Sequence, residues 1–161
     1  GPYQALVKNQ VAALCNSTDR KLIDGHFPGV DTYPLMLGHE GVGVVEAVGE
    51  KVRTFEVGDH AIGGLLFEFS DPKYATGWGG FCEYLLVNDH DAMVEDGGAD
   101  EEHGWLECYD IQRAVPSDIS VEAAAMLFTR RDVYAGIDAF PINPDDDILL
   151  FVAGTVDRSL P

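Results

Sequence analysis

Residues 38–52 read GHEGVGVVEAVGEKV. A His-Glu pair lies between glycines and leads into a valine-rich run that ends in a Gly-Glu-Lys turn. β-branched side chains suit a pleated, half-buried surface, so the run predicts a strand. A residue that must hold a metal needs a stiff base, and the edge of a strand supplies one. Gly38, Gly41 and Gly43 carry no side chain, so backbone or a ligand can come close there. Alone, the stretch could equally be a hairpin with a surface histidine. Cys15, upstream in ALCNSTD, changes that reading.

A thiolate, an imidazole and a nearby carboxylate form a borderline-soft donor set that suits zinc. The pattern resembles the signature of the zinc-dependent medium-chain dehydrogenase/reductase family, which includes alcohol and polyol dehydrogenases. That signature has Gly-His-Glu, a glycine three residues after the glutamate, a second glycine six further on, and a small or β-branched residue three beyond. Here these are Gly38-His39-Glu40, Gly43, Gly49 and Val52. The resemblance runs from about Tyr3 to Pro144 and reaches Ala153. It implies a mostly β fold with a few helices, a GroES-like, partly open β-barrel.

The resemblance also implies site roles. The equivalents of Cys15 and His39 bind the catalytic zinc, and Glu40 lies next to the metal and can ligate it in some states. Zinc acts as a Lewis acid on an alcohol or carbonyl oxygen. A hydroxyl two residues after the zinc cysteine often carries the substrate proton in the family. The stretched CNSTD motif leaves this role to Ser17 or Thr18, with an N-cap for the following turn as the alternative. Asp19 is expected to buttress that turn. A third family ligand, Cys or an acidic residue, falls near Phe128, which cannot bind zinc; Glu40, Asp132 or nothing would replace it. The four close cysteines of the family's structural zinc lobe are absent from this sequence.

The chain has 161 residues, of which 46% are hydrophobic, enough for one core. Asp and Glu number 28 against 10 Lys and Arg, a net charge of -18. Such a surface repels nucleic acid and anionic membrane, so neither is expected as a partner. The acidity reads either as a solvated surface or as adaptation to high salt. No apolar run of eighteen residues and no signal-peptide pattern is seen, so neither a membrane helix nor a leader is expected. Three scattered cysteines suggest no disulfide framework, and a reduced, cytoplasmic protein is expected.

Residues 4–14 read as a strand that delivers Cys15, with Ala5, Val7 and Val11 on one face. Residues 20–23 form a short helical turn, and strands are expected over 60–67 and 80–87. His26, His60, His90 and His103 are read as surface or loop residues unless paired. The acidic stretch 88–112 has little periodicity and is expected as a solvated insertion or a partner surface. A helix is predicted over 120–139, with Ser120 as N-cap and Ala124, Leu127, Phe128, Arg131 and Tyr134 along one side. The GroES-like domain is thus expected over 1–144.

Residues 145–161 resemble a remnant of the first strand of a dinucleotide-binding domain. The family's G-x-G-x-x-G survives only at Gly154, with Val152 and Asp157 at the flanking glycine positions. A cofactor site needs a strand, a glycine-rich turn and a helix N-terminus facing the pyrophosphate. The resemblance therefore implies a parent that is a zinc-dependent, NAD(P)-linked dehydrogenase of small alcohols or carbonyl compounds, oligomeric in its full form. This chain reads as a truncated or engineered fragment of it, inactive alone, with its Rossmann domain absent or truncated. The rival expectation is a non-catalytic GroES-like binding or scaffold module.

Overall fold

A computed structural model describes residues 1–140, 143 and 145–147. The chain divides into two compact units, Gly1–Ala125 and Met126–Pro161. The first is built on seven strands: β1 (Gln4–Ala13), β2 (Leu35–Met36), β3 (Glu40–Val48), β4 (His60–Ile62), β5 (Ala75–Thr76), β6 (Tyr84–Asn88) and β7 (Arg113–Val115). Five form one sheet in the order β6-β1-β3-β4-β7, and β2 pairs with β5 in parallel. Helices α1 (Thr18–Ile23), α2 (His90–Glu95) and α3 (Val121–Ala125) complete the unit, with 3-10 turns at Glu101–His103 and Glu107–Ile111. This is the mostly β, GroES-like architecture that the sequence implies.

The antiparallel pair β1–β3 is the centre of the sheet. Its register runs from Ala5 opposite Val48 to Ala13 opposite Glu40, with irregularities at Leu6/Val7 and Asn9/Val11. An extra residue in one strand bends it and increases its twist. Gly43 sits at the second irregularity, and a Cβ there would collide with the Lys8 carbonyl, so only glycine lets the two backbones meet. Before that point β1 alternates cleanly: Ala5 and Val7 are fully buried, while Leu6 and Lys8 face out. The two inward residues join Val45, Phe55, Ala61, Leu85 and Val87 in the core. Full burial of a residue such as Leu85 contributes about 2 kcal/mol.

The sheet is not a closed barrel, but its two sides are tied together. β4 stops at Ile62 rather than continuing to residue 67, and the chain turns through Gly63 before Leu65 bridges Leu86 of β6. Gln112 clasps the same seam. Its Oε1 accepts from the Asn88 backbone N–H at 2.6 Å, and its Nε2 donates to the Gly63 carbonyl at 2.6 Å. Gln112 is fully buried, as such a clasp must be to act without competition from water.

The 88–112 stretch is exposed over much of its middle but is anchored by buried residues at both ends. Asp89, also fully buried, caps α2 by accepting from the Ala92 N–H, and it accepts again from the Arg53 and Thr54 N–H groups. Periodicity misses this segment because its anchors are single polar residues, not an apolar stripe. The β6 strand likewise begins at Tyr84, four residues after the expected start.

The helix predicted over 120–139 is two helices, α3 and α4 (Leu127–Ala139), separated at Met126 (φ -89°, ψ -4°). Neither Pro nor Gly marks the break. Ser120 caps α3 as expected, its Oγ accepting from the Ala123 N–H at 3.2 Å. Within the second unit, Arg131 and Tyr134 of α4 are exposed, so the expected buried stripe does not run through them. Gly154 and the rest of the expected dinucleotide remnant beyond Asp147 lie outside the described residues. Among the described residues, no helix is long and apolar enough to cross a membrane.

Candidate metal centre

The β1–β3 register builds the site. Ala13 lies opposite Glu40 at the end of the ladder, so Cys15, just past β1, is delivered beside His39, just before β3. One ligand atom each from Cys15, His39 and Glu40 lies within 4.8 Å of the others. Glu40 is buried and His39 partly so. All three expected metal residues thus come together, from the first unit alone. Phe128 and Asp132 belong to α4, in the second.

The turn after Cys15 wraps back on it. Asp19, fully buried in α1, accepts from the Cys15 N–H through Oδ2 at 2.9 Å, while its own N–H donates to the Cys15 carbonyl. The Thr18 N–H donates to the Cys15 sulfur, 3.4 Å away. Asp19 is thus the buttress expected, and it reaches further. Its Oδ1 lies 3.4 Å from His39 Nδ1. Both atoms are buried without a hydrogen bond among the described residues. A shift of a few tenths of an ångström would pair them. A carboxylate at Nδ1 holds the proton there and leaves Nε2, the nitrogen 3.9 Å from Glu40 Oε1, as the ligand.

Ser17 begins α1 at φ -90°, ψ -62°, and its side chain makes no capping hydrogen bond, so the N-cap alternative fails for it. Ser17 is exposed and Thr18 half-buried. A glycine crossing brings a second loop over the site. The Gly80 N–H donates to the Gly38 carbonyl at 2.7 Å. Gly38 has φ +96°, and a Cβ on it would lie 2.7 Å from the Phe81 nitrogen.

That loop carries Trp78, whose ring meets the His39 imidazole edge-on with centroids 5.7 Å apart. Phe27 also packs against the indole, with ring centroids 5.3 Å apart and an interplanar angle of 79°. Trp78 is the one non-glycine residue with positive φ (69°) among those described, a conformation that costs on the order of 1–2 kcal/mol. Sequence reasoning missed both aromatic residues. The available signal was a tryptophan set between glycines, Gly77-Trp78-Gly79-Gly80.

The remaining cysteines and histidines stand apart. All three cysteines are free. Burial pushes the Cys82 and Cys108 thiols up, away from the thiolate form that a metal needs. His90 accepts from Trp105 Nε1 at 2.9 Å, and His103 pairs with Asp100 at 2.7 Å.

Residues 1–95, more than half of the chain, match the alcohol dehydrogenase GroES-like domain. The chain belongs to the medium-chain dehydrogenase/reductase family. Among its relatives, alcohol dehydrogenase 1 of Neurospora crassa is 44% identical over 164 residues, taking in 96% of this chain and 43% of its own length. Alcohol dehydrogenase 1 of Emericella nidulans is 32% identical over 162 residues, with the same two coverages. The fold resembles benzyl alcohol dehydrogenase from Acinetobacter calcoaceticus, with a TM-score of 0.68 at 21% identity over 98% of this chain and 46% of that one. The chain spans less than half the length of these relatives.

The donors fit a zinc ion. Tetrahedral coordination at the usual bond lengths sets N and O donors about 3.4 Å apart. The 3.9 Å between His39 Nε2 and Glu40 Oε1 needs only a small closure. The unpaired Nδ1 and the carboxylate behind it are the outer partners that a metal-binding histidine normally has. Three protein donors leave a fourth position open, the arrangement of catalytic rather than structural zinc.

Proposed function

We propose that this chain is the catalytic domain of a zinc-dependent, NAD(P)-linked dehydrogenase of small alcohols or polyols. Cys15, His39 and Glu40 would hold the metal. The observation that carries the reading is the convergence of their three donor atoms within 4.8 Å, with Asp19 behind the imidazole. When bound, zinc supplies Lewis acidity toward an alcohol or carbonyl oxygen.

The chain's own residues have separate tasks. Asp19 holds the His39 proton at Nδ1 and anchors the Cys15 backbone. The Thr18 N–H orients the Cys15 sulfur by donating to it. The hydroxyl of Ser17 or Thr18 takes the substrate proton; the exposure of Ser17 supports an onward path to water. Hydride transfer needs a nicotinamide site. The only trace of that motif, Gly154, lies outside the described residues, so the complete reaction is proposed for the whole protein and not for these residues alone.

Elemental analysis of the purified chain beside a Cys15→Ser variant tests the reading. About one zinc per chain, lost in the variant, is expected for a site with one open position. Absence of zinc from the unmodified chain after reconstitution would overturn it and favour a non-catalytic GroES-like module.

A further inference from the structure

We propose that Trp78 is a positioning residue for His39: its indole, locked in place by a strained turn, holds the imidazole in the orientation that presents Nδ1 to Asp19. A bulky residue at positive φ persists only where its surroundings over-determine it. Here they do. The Trp78 N–H donates to Thr76 Oγ1 at 2.9 Å, and its carbonyl accepts from the Leu66 N–H at 2.8 Å. Thr76 Oγ1 donates in turn to the Leu66 carbonyl at 2.7 Å. On either side, the Gly77 and Gly79 N–H groups both donate to the Met36 carbonyl, at 2.8 and 2.9 Å. Four of these hydrogen bonds fix Trp78 and its two neighbours, and the fifth ties Thr76, which holds the Trp78 N–H, to Leu66.

The strain serves no core. Trp78 lies outside the apolar cluster of the sheet. Glycine, which adopts this φ freely, stands on both sides of it and would be the natural occupant of a turn with no further task. The ring instead contacts both Phe27 and His39, with centroids 5.3 and 5.7 Å away. An imidazole on a strand end can turn about its last bond. Asp19 reaches it only along one direction, at 3.4 Å. The indole is a second contact on the same imidazole, and Phe27 packs against that indole in turn. The strain is thus kept where it restricts a ligand's rotation.

This role rests on the metal reading above for one of its two readouts and not for the other. The first readout is the nitrogen-15 imidazole spectrum of the zinc-free chain, recorded above the ordinary histidine pKa of about 6.5, with His39 assigned through a His39→Asn variant. The unmodified chain should show one tautomer, protonated at Nδ1. Trp78→Gly removes the ring while relieving the backbone, and should give mixed tautomers. Trp78→Phe keeps an aromatic edge and should restore a single form. The second readout is zinc affinity by competition with a chromogenic chelator. It should fall about tenfold in Trp78→Gly and recover to within about twofold in Trp78→Phe.

Circular dichroism identifies any loss of fold, and Trp78→Asn, which also tolerates a positive φ, replaces the glycine variant if that variant does not fold. Mixed tautomers in the unmodified chain, or an unchanged single tautomer in the variant, overturn the proposal. If the unmodified chain binds no zinc, the metal reading fails, and the imidazole spectra still decide the role of Trp78.

Discussion

Asp19 shows how much of a site can depend on a residue that would not touch the metal. One carboxylate oxygen anchors the Cys15 backbone and the other faces His39. Asp19→Asn keeps the size but puts an amide N–H or a neutral oxygen where a carboxylate stood. Zinc affinity is expected to fall about tenfold, the ordinary loss for an outer partner of a ligand. Isothermal titration with zinc checks this, and an affinity equal to that of the unmodified chain would show that Asp19 only supports the turn. The convergence of Cys15, His39 and Glu40 was legible from the sequence, because His39-Glu40 and Cys15 stand in a motif with fixed spacing. Asp19 was half legible: its place near Cys15 suggested a buttress, but nothing in one dimension says that its second oxygen reaches a residue twenty positions away. Trp78 was illegible for a stronger reason. Its position depends on a glycine crossing between loops some forty residues apart, and a tryptophan in a loop carries no periodic signal.

Among the elements, α2 depends on one buried acid. Asp89 accepts from three backbone N–H groups, those of Ala92, Arg53 and Thr54, at 2.6 to 3.0 Å. Burial alone would raise its pKa. The hydrogen bonds from Arg53, Ala92 and Thr54 outweigh that and hold the carboxyl below its ordinary value of 3.8. A group with a depressed folded pKa stabilises the fold above its unfolded pKa, and the contribution is lost as pH falls through the folded value. Asp89→Asn is therefore expected to cost about 2 kcal/mol at neutral pH, the scale of a strong N-cap. The gap from the unmodified chain should close below pH 3.8. Urea unfolding midpoints across that range measure it; a gap that persists in strong acid would rule out the charge as the cause. The strands β1 and β3 were visible in alternation and β-branched content. The segment after β6 was not, since Asp89 and Gln112 hold it by hydrogen bonds, and an acidic sequence around them looks like solvent-exposed chain.

At the scale of the whole molecule, a net charge of -18 on 161 residues is a standing repulsion. Between about 0.01 M and 1 M salt the screening length shrinks from about 30 Å to about 3 Å. The melting midpoint is expected to rise by on the order of 3 °C over that range, about 1 kcal/mol for a chain of this size. Calorimetry in sodium chloride checks it, and a flat midpoint would mean that the acidic groups are already spread too far apart to matter. The pairing of β1 with β3 has another consequence. Cys15 and His39 are 24 positions apart, and they meet only at the end of that ladder. Closing such a loop costs entropy before any contact rewards it, so the thiol and the imidazole are strangers in the unfolded chain. Capture of a metal during refolding would then mark the moment at which the first strand finds the third, and the site would serve as a clock on the folding of its own domain.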